Sequence, residues 1–367
     1  MRYVNKYLRN IKPYSPASHK IWRVPTQERS SILKLDWNES TLPPSPCVNK
    51  ALLSLLEQPD FFRLYPSTYS EEVMSALSSY TGLCRENLQY FASSDSLHEY
   101  IARTYISPGD PVLILWPSYD NFRLTVEANG AVVHYSELAD NFAFDPESFS
   151  RDIMKYQPSL IYICNPNNPT GTFIEPYVLE RLIAADTDAM FLIDEAYIEF
   201  AGESVNPLVL RHNNLLITHT MSKAFGLANF RFGYLVSCEQ NIADISGIRN
   251  SKNITTFAQS AVIAAFSDMN YMNSYVQEVR RAREYFTENI NAEFAGELHA
   301  YPSMGNFVLV KCIDERMKHK ILGGLEEQNI FVRNVSQSAS LSCCFRVTIG
   351  TCEQMNRVLH ALREIIG

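Results

Sequence analysis

Three apolar runs in the middle of the chain each end in residues able to do chemistry. Leu160–Cys164 leads into Asn165-Pro-Asn-Asn168-Pro169-Thr170-Gly171. Met190–Ile193 leads into Asp194-Glu195-Ala196-Tyr197, and Leu215–Thr218 into His219-Thr220-Met221-Ser222-Lys223. Singly, none says much: an Asn/Pro-rich stretch is most often a turn, and a lysine most often a surface charge. As a set they allow one chemistry. A buried carboxylate at Asp194 can keep a pyridine nitrogen protonated, because an opposite charge stabilises the charged form. A protonated pyridine is an electron sink for a carbanion. Lys223 can bind an aldehyde covalently and afterwards move a proton as a base. Tyr197 and Asn168 can hydrogen-bond a phenolic ring oxygen. Arg231, eight residues after Lys223, can grip a phosphate with paired N–H groups. Ser93-Ser94-Asp95-Ser96 precedes the helical stretch Leu97–Tyr105, and the free N–H groups of a helix start suit a phosphate. These are the handles that pyridoxal phosphate requires.

The elements that must position these groups follow from the pattern of the chain. Short β-rich runs at Leu88–Ala92, Pro111–Trp116, Ala131–Tyr135, Leu160–Cys164, Met190–Asp194, Leu215–His219 and Gly233–Ser237 alternate with helical stretches such as Tyr119–Ala128, Pro146–Tyr156 and Pro176–Ala185. That alternation predicts an α/β domain with a mostly parallel sheet buried on both faces. Ligands of such a sheet bind beyond the carboxyl ends of its strands, where all three polar runs lie. Further on, Asp268 is placed to cap a long helix through about Asn291. Phe307–Val310, Ile330–Arg333 and Phe345–Ile349 read as strands, and a helix follows Thr351. This predicts a smaller α+β unit over residues 266–367, after a large cofactor-binding unit over 41–265. Residues 1–40 lack sheet periodicity and are expected to pack as an arm on the small unit or on a partner chain.

Composition narrows the class. The chain has 367 residues, 46% hydrophobic and 20% charged, with a net charge of −8. An acidic chain is a poor general nucleic-acid binder, since counterion release needs a basic face. No apolar run is long enough to cross a bilayer, and the basic first 25 residues lack the apolar stretch of a secretory signal. None of the eight cysteines forms a C-x-x-C pair or a zinc-spaced cluster. Most of them read as small buried hydrophobes in a reducing cytoplasm, with no metal site.

The chain resembles the fold-type I pyridoxal-phosphate aminotransferases, the aspartate-aminotransferase superfamily, and within it the histidinol-phosphate aminotransferase branch. The resemblance rests on Cys164–Gly171, Ile193–Phe200, Met221–Ala228, Pro302–Lys311 and Cys344–Thr351, in that order. It implies an α/β fold-type I transferase that moves an amino group between an amino acid, glutamate, and a small oxo compound, possibly a phosphorylated one. By resemblance Lys223 looks like the lysine that takes the cofactor aldehyde, and Asp194 like the partner of the pyridine nitrogen. Tyr197 and Asn168 match the residues at the phenolic oxygen, and Tyr119 the aromatic on the ring. Ser94, Asp95, Thr220, Ser222 and Arg231 match phosphate-binding positions. Tyr65 resembles a tyrosine that reaches the phosphate from the other subunit of a homodimer. On the substrate side, Arg346 matches the arginine that grips a carboxylate, Arg333 and Tyr14 resemble positions at a substrate phosphate, and Asn38 lies in a matching Asn-Glu pair.

Four departures touch the substrate side more than the cofactor set. They are Ser93-Ser-Asp-Ser96 for Gly-Ser-Asp-Glu, Asn38-Glu-Ser-Thr-Leu-Pro in place of a Gly turn, Asn229-Phe230 before Arg231, and Asn250-Ser-Lys-Asn253 after Arg249. The runner-up activity is a pyridoxal-phosphate-dependent decarboxylase of phospho-amino acids, a chemistry the same branch contains. A silent binding relative is disfavoured by intact Lys223, Asp194 and Arg231. A nicotinamide enzyme is disfavoured because no G-x-G-x-x-G follows the first strand.

Overall fold

The computed structural model describes residues 5–9, 11–13, 20–185, 188–336 and 338–367. In chain order, its first half contains β1 (Leu33–Leu35), α1 (Pro46–Leu56), α2 (Glu71–Thr81), β2 (Leu88–Phe91), α3 (Ser94–Tyr105), β3 (Pro111–Trp116), α4 (Asn121–Ala128), β4 (Val132–Glu137), α5 (Pro146–Tyr156) and β5 (Leu160–Cys164). There follow α6 (Pro176–Ile183), β6 (Met190–Asp194), α7 (Ile198–Ala201), β7 (Leu215–Thr220), β8 (Gly233–Ser237), α8 (Glu239–Gly247) and α9 (Thr256–Phe266). The last part holds α10 (Met269–Glu293), β9 (Leu298–Ala300), β10 (Phe307–Cys312), α11 (Glu315–Glu327), β11 (Ile330–Asn334), β12 (Cys344–Thr348) and α12 (Cys352–Ile366).

The strands form two sheets. The larger has seven strands in the order β2-β8-β7-β6-β5-β3-β4. Its pairs are parallel except those made by β8, which runs against both neighbours. Every residue of β5, β7 and β8 is buried. Strands covered on both faces by helices need no polar alternation, so Leu160-Ile-Tyr-Ile-Cys164 can be apolar throughout.

The smaller sheet has the order β1-β11-β12-β10-β9 and is antiparallel apart from its edge, where β1 lies parallel to β11. The first forty residues, which lack sheet periodicity, nonetheless supply this edge strand: Leu33 and Leu35 are buried, and the register sets Leu33 beside Ile330. Three residues are too few to show a period, so the strand is made by its partner rather than by its own pattern. Asp268 caps α10 through the N–H of Tyr271, and Thr351 with Gln354 forms a capping box on α12. The 25-residue α10 packs on α12 and β9 and also touches α7 and α9. The eight cysteines are all free thiols. Among the described residues, no group of His, Cys, Asp or Glu could hold a metal, and no helix is long and apolar enough to cross a membrane.

Candidate active site

Register brings the polar residues to one edge of the large sheet. Cys164 lies beside Asp194 and Asp194 beside Thr218. Thr220 pairs with Gly233, which in turn pairs with Phe91. The carboxyl ends of β5, β6 and β7 and the start of the reversed β8 therefore share one rim. Trp116, the last residue of β3, leads to Tyr119 at the same edge.

Asp194 is 3% exposed. Tyr162 Oη donates to its Oδ2 at 2.8 Å, the Ala196 N–H to its Oδ1 at 3.2 Å, and Thr218 Oγ1 to Oδ1 at 3.4 Å. Burial pushes the carboxyl pKa up, and the nearby His98 and the Tyr162 hydroxyl pull it back down. No lysine or arginine among the described residues pairs with it. A carboxylate taken out of water is costly unless it is paired, and a protonated ring nitrogen would be a suitable partner.

A second cluster is built around Tyr197, whose Oη accepts from Asn38 Nδ2 at 3.2 Å and Asn168 Nδ2 at 3.3 Å. Lys223 Nζ lies 5.7 Å from the Tyr197 ring centre and donates to the Trp37 carbonyl at 2.9 Å. Burial lowers the Lys223 pKa to about 8; the Arg346 cation adds to this, while Glu39 and Asp95 oppose it. An amine near neutrality is what capture of an aldehyde needs.

A third cluster centres on the start of α3. Ser93 caps the helix through the Ser96 N–H, in the left-handed region at φ 87°. A side chain on Gly233 would stand 2.5 Å from the Ser94 nitrogen, so only glycine lets β8 approach that helix end. Thr220 Oγ1 bonds Ser222 Oγ at 2.9 Å beside it. Arg231 Nη2 reaches Asp95 Oδ2 at 3.4 Å, and Tyr119 Oη donates to Asp95 Oδ1 at 3.0 Å. Helix N–H groups, hydroxyls and one guanidinium fit a phosphate. Carboxylate, amine, phenol and phosphate cradle together fit pyridoxal phosphate.

The small sheet supplies the other wall. Arg346 on β12 donates to the Asp36 carbonyl at 2.7 Å and to Asn168 Oδ1, and its guanidinium lies 5.5 Å from the Phe307 ring centre. Asn38, at φ 56°, is locked by Thr348 Oγ1 and by Asn306 Nδ2. Arg333 on β11 is the direct cross-strand partner of Arg346. Tyr65 is 81% exposed, with Lys252 Nζ 5.2 Å from its ring centre. No hydrogen bond or ion pair joins it to the cluster among the described residues. Tyr14 lies outside the described residues. Sequence reasoning missed His98, Tyr162 and Thr218 around Asp194; Tyr162 and Thr218 sit in buried strands and His98 on the buried face of an amphipathic helix, where each reads as core.

A family model for aminotransferases of class I and II matches residues 30–362. A dihydroxyacetone phosphate transaminase of Campylobacter jejuni is 39% identical over 362 residues, covering 98% of this chain and 96% of the relative. A histidinol-phosphate aminotransferase of Ruminiclostridium cellulolyticum is 36% identical over 337 residues, covering 91% and 92%. Among solved structures, a histidinol-phosphate aminotransferase of Sinorhizobium meliloti in complex with pyridoxal-5'-phosphate superposes with a TM-score of 0.87 at 24% identity, covering 100% of this chain and 98% of that one. At that identity the likeness is one of fold. With the family pattern matched from Ser30 to Leu362, this chain belongs to the class I and II aminotransferases, enzymes that work on pyridoxal phosphate.

Proposed function

We propose that the chain carries the amino group of an amino-acid donor, glutamate, to a small phosphorylated oxo compound, and that it does so in the cytoplasm as a homodimer. The observation that carries the acceptor class is the pairing of Arg333 with Arg346 across the β11–β12 ladder. Like charges directly opposite one another destabilise a sheet. Two arginines in register fit a site that receives anions at both ends, a carboxylate at Arg346 and a phosphate at Arg333. The 39% identity to a transaminase of dihydroxyacetone phosphate supports the same acceptor class.

In this reading pyridoxal phosphate, when bound, supplies the electron sink for the charge left on the substrate carbon that loses a proton. Asp194 holds a proton on the ring nitrogen. Tyr197, held by Asn168 and Asn38, donates its O–H to the phenolic oxygen, and burial raises its own pKa so that it stays protonated. Lys223 Nζ is the amine that would hold the cofactor's aldehyde carbon, with loss of water, and once displaced by the substrate's amine it would carry the substrate proton. Ser94, Asp95, Thr220, Ser222 and Arg231 form the phosphate end, Tyr119 covers the ring, and Tyr65 reaches the partner's phosphate.

The test is an acceptor screen with glutamate as donor, comparing a phosphorylated triose ketone with its unphosphorylated parent. A hydrogen bond to a charged group is worth about 1.5–3 kcal/mol, so losing it costs about 10- to 100-fold in kcat/KM. Arg333→Gln should raise KM for the phosphorylated acceptor and leave turnover of the unphosphorylated ketone as it was. Equal turnover of both ketones would sink the phosphate assignment, and carbon dioxide release from a phospho-amino acid would replace transfer by decarboxylation.

A further inference from the structure

We infer that His98 is a positioning residue for Asp194, acting through the Thr218 hydroxyl to hold the carboxylate toward the cofactor's ring nitrogen. The inference deepens the proposed function and rests on its pairing of Asp194 with that nitrogen.

His98 is 2% exposed on α3. Its Nε2 lies 3.1 Å from Thr218 Oγ1 and 3.9 Å from Asp194 Oδ2. Among the described residues it is the one ion-pairing side chain in reach of Asp194. A threonine hydroxyl has one proton. With that proton given to Asp194 Oδ1, the Thr218 oxygen accepts from His98, and Nε2 carries a hydrogen in this arrangement. The order is His98 Nε2–H to Thr218 Oγ–H to Asp194 Oδ1, with Tyr162 Oη–H on Oδ2. Such chains polarise one another and hold their terminal group in one orientation.

The helix itself adds a second observation. Asp95 and His98 stand three residues apart on α3, one above the other on a single face. Asp95 meets Arg231 and Tyr119 at the phosphate end, while His98 meets Thr218 and Asp194 at the nitrogen end. One helix thereby sets the separation between the two ends of the cofactor. The imidazole is also packed edge-on against Phe122 at 5.4 Å and Tyr162 at 5.8 Å between ring centres, so a purely structural role must be excluded by the test.

His98→Leu keeps the packing and removes the donor. The variant should bind pyridoxal phosphate more weakly, shift the absorption band of the bound cofactor and lose about 10- to 100-fold in kcat, the usual cost of removing an outer partner of a site ligand. KM for the amino donor should stay as in the parent, and His98→Gln, which restores an N–H, should recover much of the loss. Thr218→Val breaks the same chain from its other end and carries the test should His98→Leu not fold. A cofactor analogue with carbon in place of the ring nitrogen should bind the parent and the variants alike. If the folded variants bind and absorb as the parent does, or if the weaker binding persists with the carbon analogue, the proposal is overturned. Asp194→Asn separates the two levels. If it weakens pyridoxal phosphate but His98→Leu does not, only the His98 role fails; if it too behaves as the parent, the ring-nitrogen pairing falls and takes this proposal with it.

Discussion

Lys223 sits where burial and charge work in the same direction. Removal from water lowers its pKa to about 8, and the Arg346 guanidinium and Lys34 ammonium push the same way against Glu39 and Asp95. The neutral amine is the form that attacks an aldehyde. The rate at which cofactor-free protein captures pyridoxal phosphate should therefore rise with pH through about 8, well below the ordinary lysine range. Arg346→Gln removes a cation that favours the neutral form, so the midpoint should move to higher pH and capture at pH 8 should slow. A midpoint that stays put or falls would show that Arg346 exerts no field on the amine; stopped-flow absorbance reads it directly. At this scale the gathering of Asn168, Asp194 and Lys223 at one sheet edge was legible, because each follows an apolar run at a strand end. His98 was not: a histidine inside Leu97-His-Glu-Tyr-Ile101 reads as a core residue on an amphipathic helix. Its meeting with Thr218, 120 positions away, exists only in the fold.

Elements position these groups by register, and register is specified by what the strands bury. Asp194 falls between Cys164 and Thr218 because Ile163 packs beside Ile193 and Ile193 beside Ile217 one step earlier. Where the run is long and apolar, as in β5 and β6, the sequence reading matched the strand end for end. It failed where an element depends on its neighbour. β1 is three residues long, and α11 carries Gly323-Gly324 within its span, which lowers helix propensity by roughly 1 kcal/mol per glycine. Arg333 and Arg346 are readable as separate arginines, but their pairing needs the β11–β12 ladder. Gly233 gives the element-scale test. A methyl group there meets the backbone of Ser94 at 2.5 Å and His219 at 2.8 Å, and backbone cannot swing aside. Gly233→Ala should cost about 1–3 kcal/mol of stability, the usual penalty of overpacking, and should weaken pyridoxal phosphate binding by moving the start of α3. Calorimetry and cofactor titration check both. An alanine variant with parental affinity would show that β8 does not set the phosphate cradle.

At the scale of the whole molecule, the segment after α1 presents Phe62, Leu64 and Tyr65 to solvent, at 77%, 59% and 81% exposure. The segment is nonetheless held in place. Arg249 Nη2 donates to the Thr68 carbonyl at 3.0 Å, Gln259 Nε2 to that of Ser67 at 2.9 Å, and Phe61 packs edge-on against Phe257 at 4.7 Å. In the proposed homodimer, a fixed segment that keeps three large apolar side chains in water is the surface a second copy would cover. A two-fold axis beside it would let each chain complete the other's phosphate end through Tyr65, across an isologous interface. Co-expression of Tyr65→Ala with Lys223→Ala tests this. In a mixed dimer one site then carries both defects and the other carries neither. Random pairing makes half the dimers mixed, so about a quarter of the parental activity should return although each variant alone is impaired. If Tyr65 serves its own chain, every site in the mixture keeps one defect and nothing returns. Sedimentation at micromolar concentration gives an independent answer: a monomer there would reject shared sites without any variant, whereas a dimer that dissociates on Phe62→Asp and loses cofactor as it does so would place the axis beside this segment.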